Sequence, residues 1–245
     1  MKIIISSNSY WNLYNFRKGL IDKLILNNHQ VILIAPNDKY KKFFSKLDCK
    51  LIDINFKQNK ISLLNDFFLV IKFYIILFKE RPNYLITFTV KPNIYFSISA
   101  LFFKLKILNN VTGLGTGFIN NKLIKYLLVF LYRISFRKSY KIYFHNENDM
   151  NYFIKLKIVK KSNSLTLPGS GVNLDKFKFN KISNKELKRN FNFLYFGRML
   201  KEKGVEELIQ ASSIIKKKFK NTTFTFIGSC DSSNKSSLTL EYLNK

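Results

Sequence analysis

Short runs of consecutive β-branched and aromatic residues recur along this chain, each separated from the next by a stretch with helical periodicity. Lys2–Ser6, Val31–Ala35, Lys50–Ile54, Tyr84–Phe88, Leu108–Thr112, Lys141–Phe144 and Ser164–Leu167 read as strands. A strand with little polar alternation has both faces buried, which is the condition of a parallel sheet with helices on either side. Asn15–Leu26, Ile61–Glu80, Pro92–Leu105 and Lys122–Ser139 supply the helices, the third with proline at its first turn. The expected class is α/β.

The 245 residues divide by pattern. Residues 1–176 form a complete parallel-sheet domain, 177–191 is a polar, lysine-rich crossing, and 192–245 begins a second unit of strand, turn, helix and strand. So short a unit does not close a doubly wound sheet by itself, and it is expected to be incomplete.

Hydrophobic residues make up 47% of the chain, enough for a core and too many for disorder. The net charge of +27 calls for an anionic partner, yet of 42 basic residues only six are arginine, and the lysines are spread along the whole length. There is no local arginine-rich stripe and no nucleic-acid module, so nucleic acid is not expected as a partner. Cys49 and Cys230 offer neither metal-ligand spacing nor a disulfide framework, and no acidic metal motif is present, so no metal site is expected. The richest apolar window, Phe67–Phe78, is split by Lys72 and is short of the about 20 residues a membrane span requires.

One stretch concentrates charge where local physics disfavours it. "FGRMLKEKG", Phe196–Gly204, joins an aromatic strand to the amphipathic helix that begins at Val205. Arg198 and Lys203 therefore sit beside a helix N-terminus, where the dipole favours anions. Either an anion binds in the turn or the two cations are simply solvated.

Taken together, "LPGSGVNLDKF" (Leu167–Phe177), "FGRMLKEKGVEELIQA" (Phe196–Ala211) and "FIGS" (Phe226–Ser229) resemble the family-four glycosyltransferases. "SSNSYWNLYNFRKGLI" (Ser6–Ile21), "ITFTVKPNIY" (Ile86–Tyr95), "NVTGLGTGF" (Asn110–Phe118) and "FHNEND" (Phe144–Asp149) narrow the resemblance to the bacterial branch that extends lipid-linked oligosaccharides. It implies the GT-B type of fold: a complete N-terminal Rossmann-like parallel-sheet domain on the acceptor side, then the first β-α-β part of a second Rossmann-like domain that binds the donor. It further implies transfer of a sugar from a nucleotide-diphosphate donor to an undecaprenyl-diphosphate-linked saccharide with retention. No cofactor is called for, since the nucleotide sugar is the substrate. The setting implied is the inner, anionic face of the bacterial plasma membrane, with the basic surface and the segments Phe67–Phe78 and Ile94–Phe103 giving peripheral attachment.

The resemblance also assigns residues. Gly197, Arg198, Lys203 and Gly204 hold the donor diphosphate, because two fixed cations and helix amides stabilise the charge that grows on the leaving phosphate. The loop of Ser7, Asn8 and Ser9 lies over donor and acceptor, or is an ordinary turn; the same pair of readings applies to Gly113, Gly115 and Gly171. Lys91 is a candidate for acceptor phosphate. Arg17 contacts that phosphate, orients the loop, or lies on the surface. His145 is the candidate catalytic side chain, against a role in capping the next helix. Two departures stand out. The glycine-rich loop lacks the histidine that touches the transferred sugar in many relatives. The glutamate pair that lies further along in the family is missing, which marks the chain as a fragment or, alternatively, as a non-catalytic acceptor-binding subunit that pairs with a separate donor-domain protein.

Overall fold

A computed structural model describes residues 1–56, 62–114, 118, 122–179, 191–230 and 236–243. The chain divides into two compact units, Met1–Phe177 and Lys178–Lys245.

The N-terminal unit is a seven-stranded sheet in the order β3-β2-β1-β4-β5-β6-β7, parallel throughout. The strands are β1 (Lys2–Ser6), β2 (Gln30–Ala35), β3 (Cys49–Asp53), β4 (Tyr84–Phe88), β5 (Lys106–Val111), β6 (Ser139–Phe144) and β7 (Ser164–Thr166). Strand order reverses between β1 and β4, and crevices beyond the carboxyl ends of strands at such a point are where ligands bind in open α/β sheets. Ile3, Ile5, Val31 and Leu33 face α1 (Tyr10–Leu26). Ile4, Ile32, Leu85 and Ile142 face the opposite layer, α2 (Leu63–Glu80), a π-helical turn at Pro92–Phe96 running into α3 (Ser97–Ala100), α4 (Lys122–Ser135) and α5 (Glu147–Lys155).

Several segments differ from the pattern read in the sequence: the helix expected over Asn15–Leu26 begins at Tyr10, where Ser9 caps it. The helix expected over Pro92–Leu105 ends at Ala100 and opens with the π turn. Asn93 fixes that turn: it accepts from Thr87 Oγ1 at 2.7 Å and donates to the Asn110 carbonyl at 2.8 Å. The helix expected over Lys122–Ser139 stops at Ser135, and Ser139 begins β6. α5 was not anticipated, because Phe153 is its one buried residue; it begins where Asn146 Oδ1 accepts from the Asp149 amide at 2.8 Å.

α2 is apolar on two sides. Leu69, Phe73 and Leu77 are buried, while Phe67, Phe68, Ile71, Ile75 and Phe78 are exposed at the same helical spacing. Its one buried charge is Asp66, 4% exposed. Lys91 Nζ lies 2.5 Å from Asp66 Oδ1, and Tyr95 donates to Oδ2 at 2.9 Å. Burial, then the neighbouring carboxylate, pushes the Tyr95 phenol well above its usual range.

In the C-terminal unit, β8 (Phe191–Phe196) and β9 (Thr222–Ile227) pair in parallel around α6 (Val205–Lys218), with α7 (Leu240–Leu243) near its end. Tyr195, Phe226 and Ile209 pack against the buried trio Met199, Val205 and Leu238. On the other side of this ribbon Leu194, Phe196 and Ile227 are exposed.

The buried pair yields a stability prediction. Asp66→Ala leaves the Lys91 ammonium without its partner and is expected to lower the stability of the N-terminal unit by about 3–5 kcal/mol in urea unfolding. Asp66→Leu combined with Lys91→Met should recover most of that loss. A single alanine variant as stable as wild type would mean the ion pair does not hold these elements together.

Candidate functional site

The two strand-to-helix turns treat their helix N-termini in opposite ways. At α1 two of the first-turn amides, those of Trp11 and Asn12, are already used. Ser9 caps the helix, its Oγ accepting from the Asn12 amide at 3.0 Å. Asp38, from the loop after β2, accepts from the Trp11 amide at 2.9 Å and the Tyr40 amide at 2.8 Å. Ser7 is buried; its hydroxyl donates to Asn12 Oδ1 at 2.9 Å and its amide to the Ile34 carbonyl at 3.2 Å. Asn8 accepts from the Ser7 and Ser9 hydroxyls, each at 3.5 Å. Within this loop a carboxylate of the chain thus bonds an amide at the helix N-terminus.

At α6 no side chain caps the helix; Gly204 stands at the N-cap with φ +71°, the left-handed region that favours glycine. Arg198 and Lys203 are both exposed, and neither side chain makes an ion pair or hydrogen bond among the described residues. Lys201 by contrast lies 3.6 Å from Glu206. Glu206 and Glu207 put negative charge in the first turn, which the dipole favours. The turn is held by backbone contacts: the Gly197 amide donates to the Ile227 carbonyl at 2.9 Å, and the Met199 amide to the Ser229 carbonyl at 3.2 Å. β9 comes so close that a Cβ on Gly228 would lie 1.7 Å from the Gly197 carbonyl oxygen. The turn thus combines a helix N-terminus without a side-chain cap and two exposed cations, a combination that suits an anion.

The remaining candidates lie in the N-terminal unit. Lys91 is neutralised by Asp66 and 9% exposed, so its charge is committed inside the unit. It follows Thr89, whose φ of +68° is strained for a β-branched residue and marks the carboxyl end of β4. Arg17 is buried, its guanidinium carbon 4.1 Å from the ring centre of Phe88 at the end of β4. Burial pulls its pKa down to about 10, which leaves it charged at neutral pH. His145 follows β6; its Nε2 is enclosed and unpartnered among the described residues. Burial, and then Arg17, hold its pKa below the usual imidazole value, while Asp149 acts the other way. Gly113 follows β5 with φ +151° and open space around it, and Gly171 adopts φ +73° beyond β7. Gly115 lies outside the described residues. Asp66, Asp38 and Phe88 were missed in the sequence; only Asp66, a lone acid in the first turn of an apolar helix, carried a signal.

Ile94–Phe103, expected to attach to a membrane, is core instead: Ile94, Phe96 and Ala100 are buried, and Phe102 alone of the segment is a large exposed side chain. Among the described residues no helix is long and apolar enough to cross a membrane.

No protein-family model matches the chain. It is 27% identical over 261 aligned residues to the N,N'-diacetylbacillosaminyl-diphospho-undecaprenol alpha-1,3-N-acetylgalactosaminyltransferase of Campylobacter jejuni, covering 100% of this chain and 67% of that protein. It is 27% identical over 227 residues to the capsular polysaccharide biosynthesis glycosyltransferase CapM of Staphylococcus aureus, covering 89% of this chain and 58% of that protein. The chain thus spans about three-fifths to two-thirds of these curated relatives. In structure it resembles a glycosyltransferase from Rickettsia africae, with TM-score 0.61, 14% identity, and coverage of 93% of this chain and 68% of that one. A Neisseria meningitidis UDP-GlcNAc 2-epimerase solved with UDP-GlcNAc gives TM-score 0.61 at 13% identity, covering 95% and 67%. The fold is of the GT-B type, and the sequence relatives are bacterial glycosyltransferases.

Gly228→Ala tests the turn. The added methyl has no room beside the Gly197 carbonyl, so hydrogen exchange is expected to lose protection in β8 and β9, with β1–β7 unchanged. Unaltered protection in Gly228→Ala would show that the strands do not converge as described.

Proposed function

We propose that this chain carries the acceptor-side domain and the diphosphate-binding turn of a retaining, metal-independent glycosyltransferase of cell-surface polysaccharide synthesis. The donor is a nucleotide-diphosphate sugar and the acceptor a saccharide on a polyprenyl diphosphate. The observation that carries the reading is the α6 turn, with uncapped amides and two unpaired cations, in a chain whose sequence relatives transfer sugars. Cleavage of the sugar–phosphate bond releases a nucleoside diphosphate. Arg198, Lys203 and the first amides of α6 stabilise the charge growing on it, more strongly in the transition state than in the bound donor. The gain comes from fixed charges and dipoles and calls for no metal ion.

The outer face of α2 supports a membrane setting. Phe67, Phe68, Ile71, Ile75 and Phe78 on α2, with Tyr126 and Phe130 on α4, expose large apolar side chains among lysines on a chain of net charge +27. That combination suits the interface of an anionic bilayer, where a polyprenyl-linked acceptor resides.

Transfer is measured with a chain in which the residues of the Campylobacter relative beyond the aligned stretch follow Lys245. Arg198→Ala and Lys203→Ala should each lower kcat/KM by about tenfold to a thousandfold, with Arg198→Lys recovering part. Activity should survive EDTA. Wild-type rates in both alanine variants would remove the diphosphate assignment.

Vesicle binding tests the surface. The chain should co-sediment with vesicles of phosphatidylglycerol, and less so as salt rises. Phe67→Ser with Phe78→Ser should weaken binding at every salt concentration. Equal binding to neutral and anionic vesicles would remove the electrostatic part of the reading.

A further inference from the structure

The chain distributes its few carboxylates unevenly. It has 15 acidic residues for 42 basic ones. Asp22, Asp53 and Glu80 pair with the partly exposed lysines Lys18, Lys41 and Lys50, and Asp66 pairs with the buried Lys91. Arg17, 93% removed from solvent, has no carboxylate and no hydrogen bond from its side chain among the described residues, and its Nε is fully enclosed. Its one described contact of note is the face of Phe88. An unpaired buried charge is unfavourable, and the cation–π contact offsets only part of that cost.

Register shows what surrounds the guanidinium. Phe88 pairs with Asn110 across β4 and β5, and Asn110 with Tyr143 across β5 and β6. His145 follows two residues later, so Phe88 and His145 flank the carboxyl end of β5 at a separation of about 12 Å, two strand spacings across and two residues along. Between them the chain leaves β5 through Gly113, around which there is open space. Arg17 reaches Phe88 from α1, and its charge is felt at His145. A buried cation against Phe88 and an unpartnered imidazole nitrogen thus lie at the carboxyl ends of β4 and β6, with the glycine turn after β5 between them.

We propose that Arg17, stacked on Phe88 beside His145, is the centre of an anion site in the N-terminal unit that binds a phosphoryl group. The guanidinium supplies the charge and a two-pronged donor face, and His145 supplies a further nitrogen at its rim. This deepens the transfer reading, on which it rests only for the identity of the anion. The phosphoryl group belongs to the nucleoside diphosphate of the donor or to the diphosphate of the acceptor lipid, and the assay separates the two.

Binding is followed by thermal unfolding of the chain carrying Arg198→Ala and Lys203→Ala, which silences the α6 turn. The probes are inorganic pyrophosphate, geranyl diphosphate and UDP, with sulfate at equal ionic strength as control. Pyrophosphate should raise Tm and sulfate should not. A larger rise with geranyl diphosphate than with UDP assigns the site to the acceptor; the reverse assigns it to the donor. Arg17→Met should unfold at the same temperature as its parent or higher, because a buried unpaired charge is gone, and should lose at least tenfold in pyrophosphate affinity. Arg17→Lys should keep part of it. If Arg17→Met lowers Tm and keeps the pyrophosphate response, Arg17 is structural and the proposal falls. It falls equally if sulfate matches pyrophosphate, or if no probe moves Tm. The assay needs no turnover, so its failure leaves the transfer reading standing, and a failed transfer assay leaves a measured pyrophosphate site standing.

Discussion

A carboxylate buried under the carboxyl edge of the sheet organises the N-terminal unit. Asp66, in the first turn of α2, holds Lys91 and Tyr95 at once, and thereby fastens one helix to the π turn that follows β4. Next to it, Thr87, Asn93, Ser97, Asn109 and Ser139 form a continuous hydrogen-bonded chain linking β4, β5, β6 and the helix between them. Polar networks of this kind specify one arrangement when every member is satisfied. Here they support the loops at the carboxyl edge of the sheet, beside which the strained Thr89 can persist.

The two helix N-termini that point at candidate sites show how charge is allotted. α1 receives Ser9 and Asp38 from the chain itself, so its dipole is already answered. α6 has no side-chain cap: a glycine stands at its N-cap beside two exposed cations, and Glu206 and Glu207 in its first turn are the chain's own answer to the dipole. The same element, a helix entered from a parallel strand, is closed in one unit and open in the other. The difference lies in a few side chains, not in the topology.

Much of this was legible in the sequence where the controlling interactions are local. Runs such as Val31–Ala35 announce buried parallel strands because each residue must be apolar. The α6 turn was legible because strand, glycine, cations and helix lie within one short stretch. α5 was not, since its residues are mostly polar and only its asparagine cap marks it. The fate of Lys91 could not be read either, because its partner lies 25 residues away on another element. Arg17 is the mirror case: its sequence neighbourhood is that of a surface helix, yet it is buried with its guanidinium against Phe88, which lies 71 residues away at the end of β4.

The interleaving of two apolar faces on α2 separates two properties that usually change together. Leu69, Phe73 and Leu77 answer to the core, while Phe67, Phe68, Ile71, Ile75 and Phe78 answer to whatever lies outside. Substitutions in the outer set change what the helix presents to its surroundings while leaving the core contacts of Leu69, Phe73 and Leu77 in place. Surface and core are thus written on one helix in alternating letters, and mutation can revise either alone.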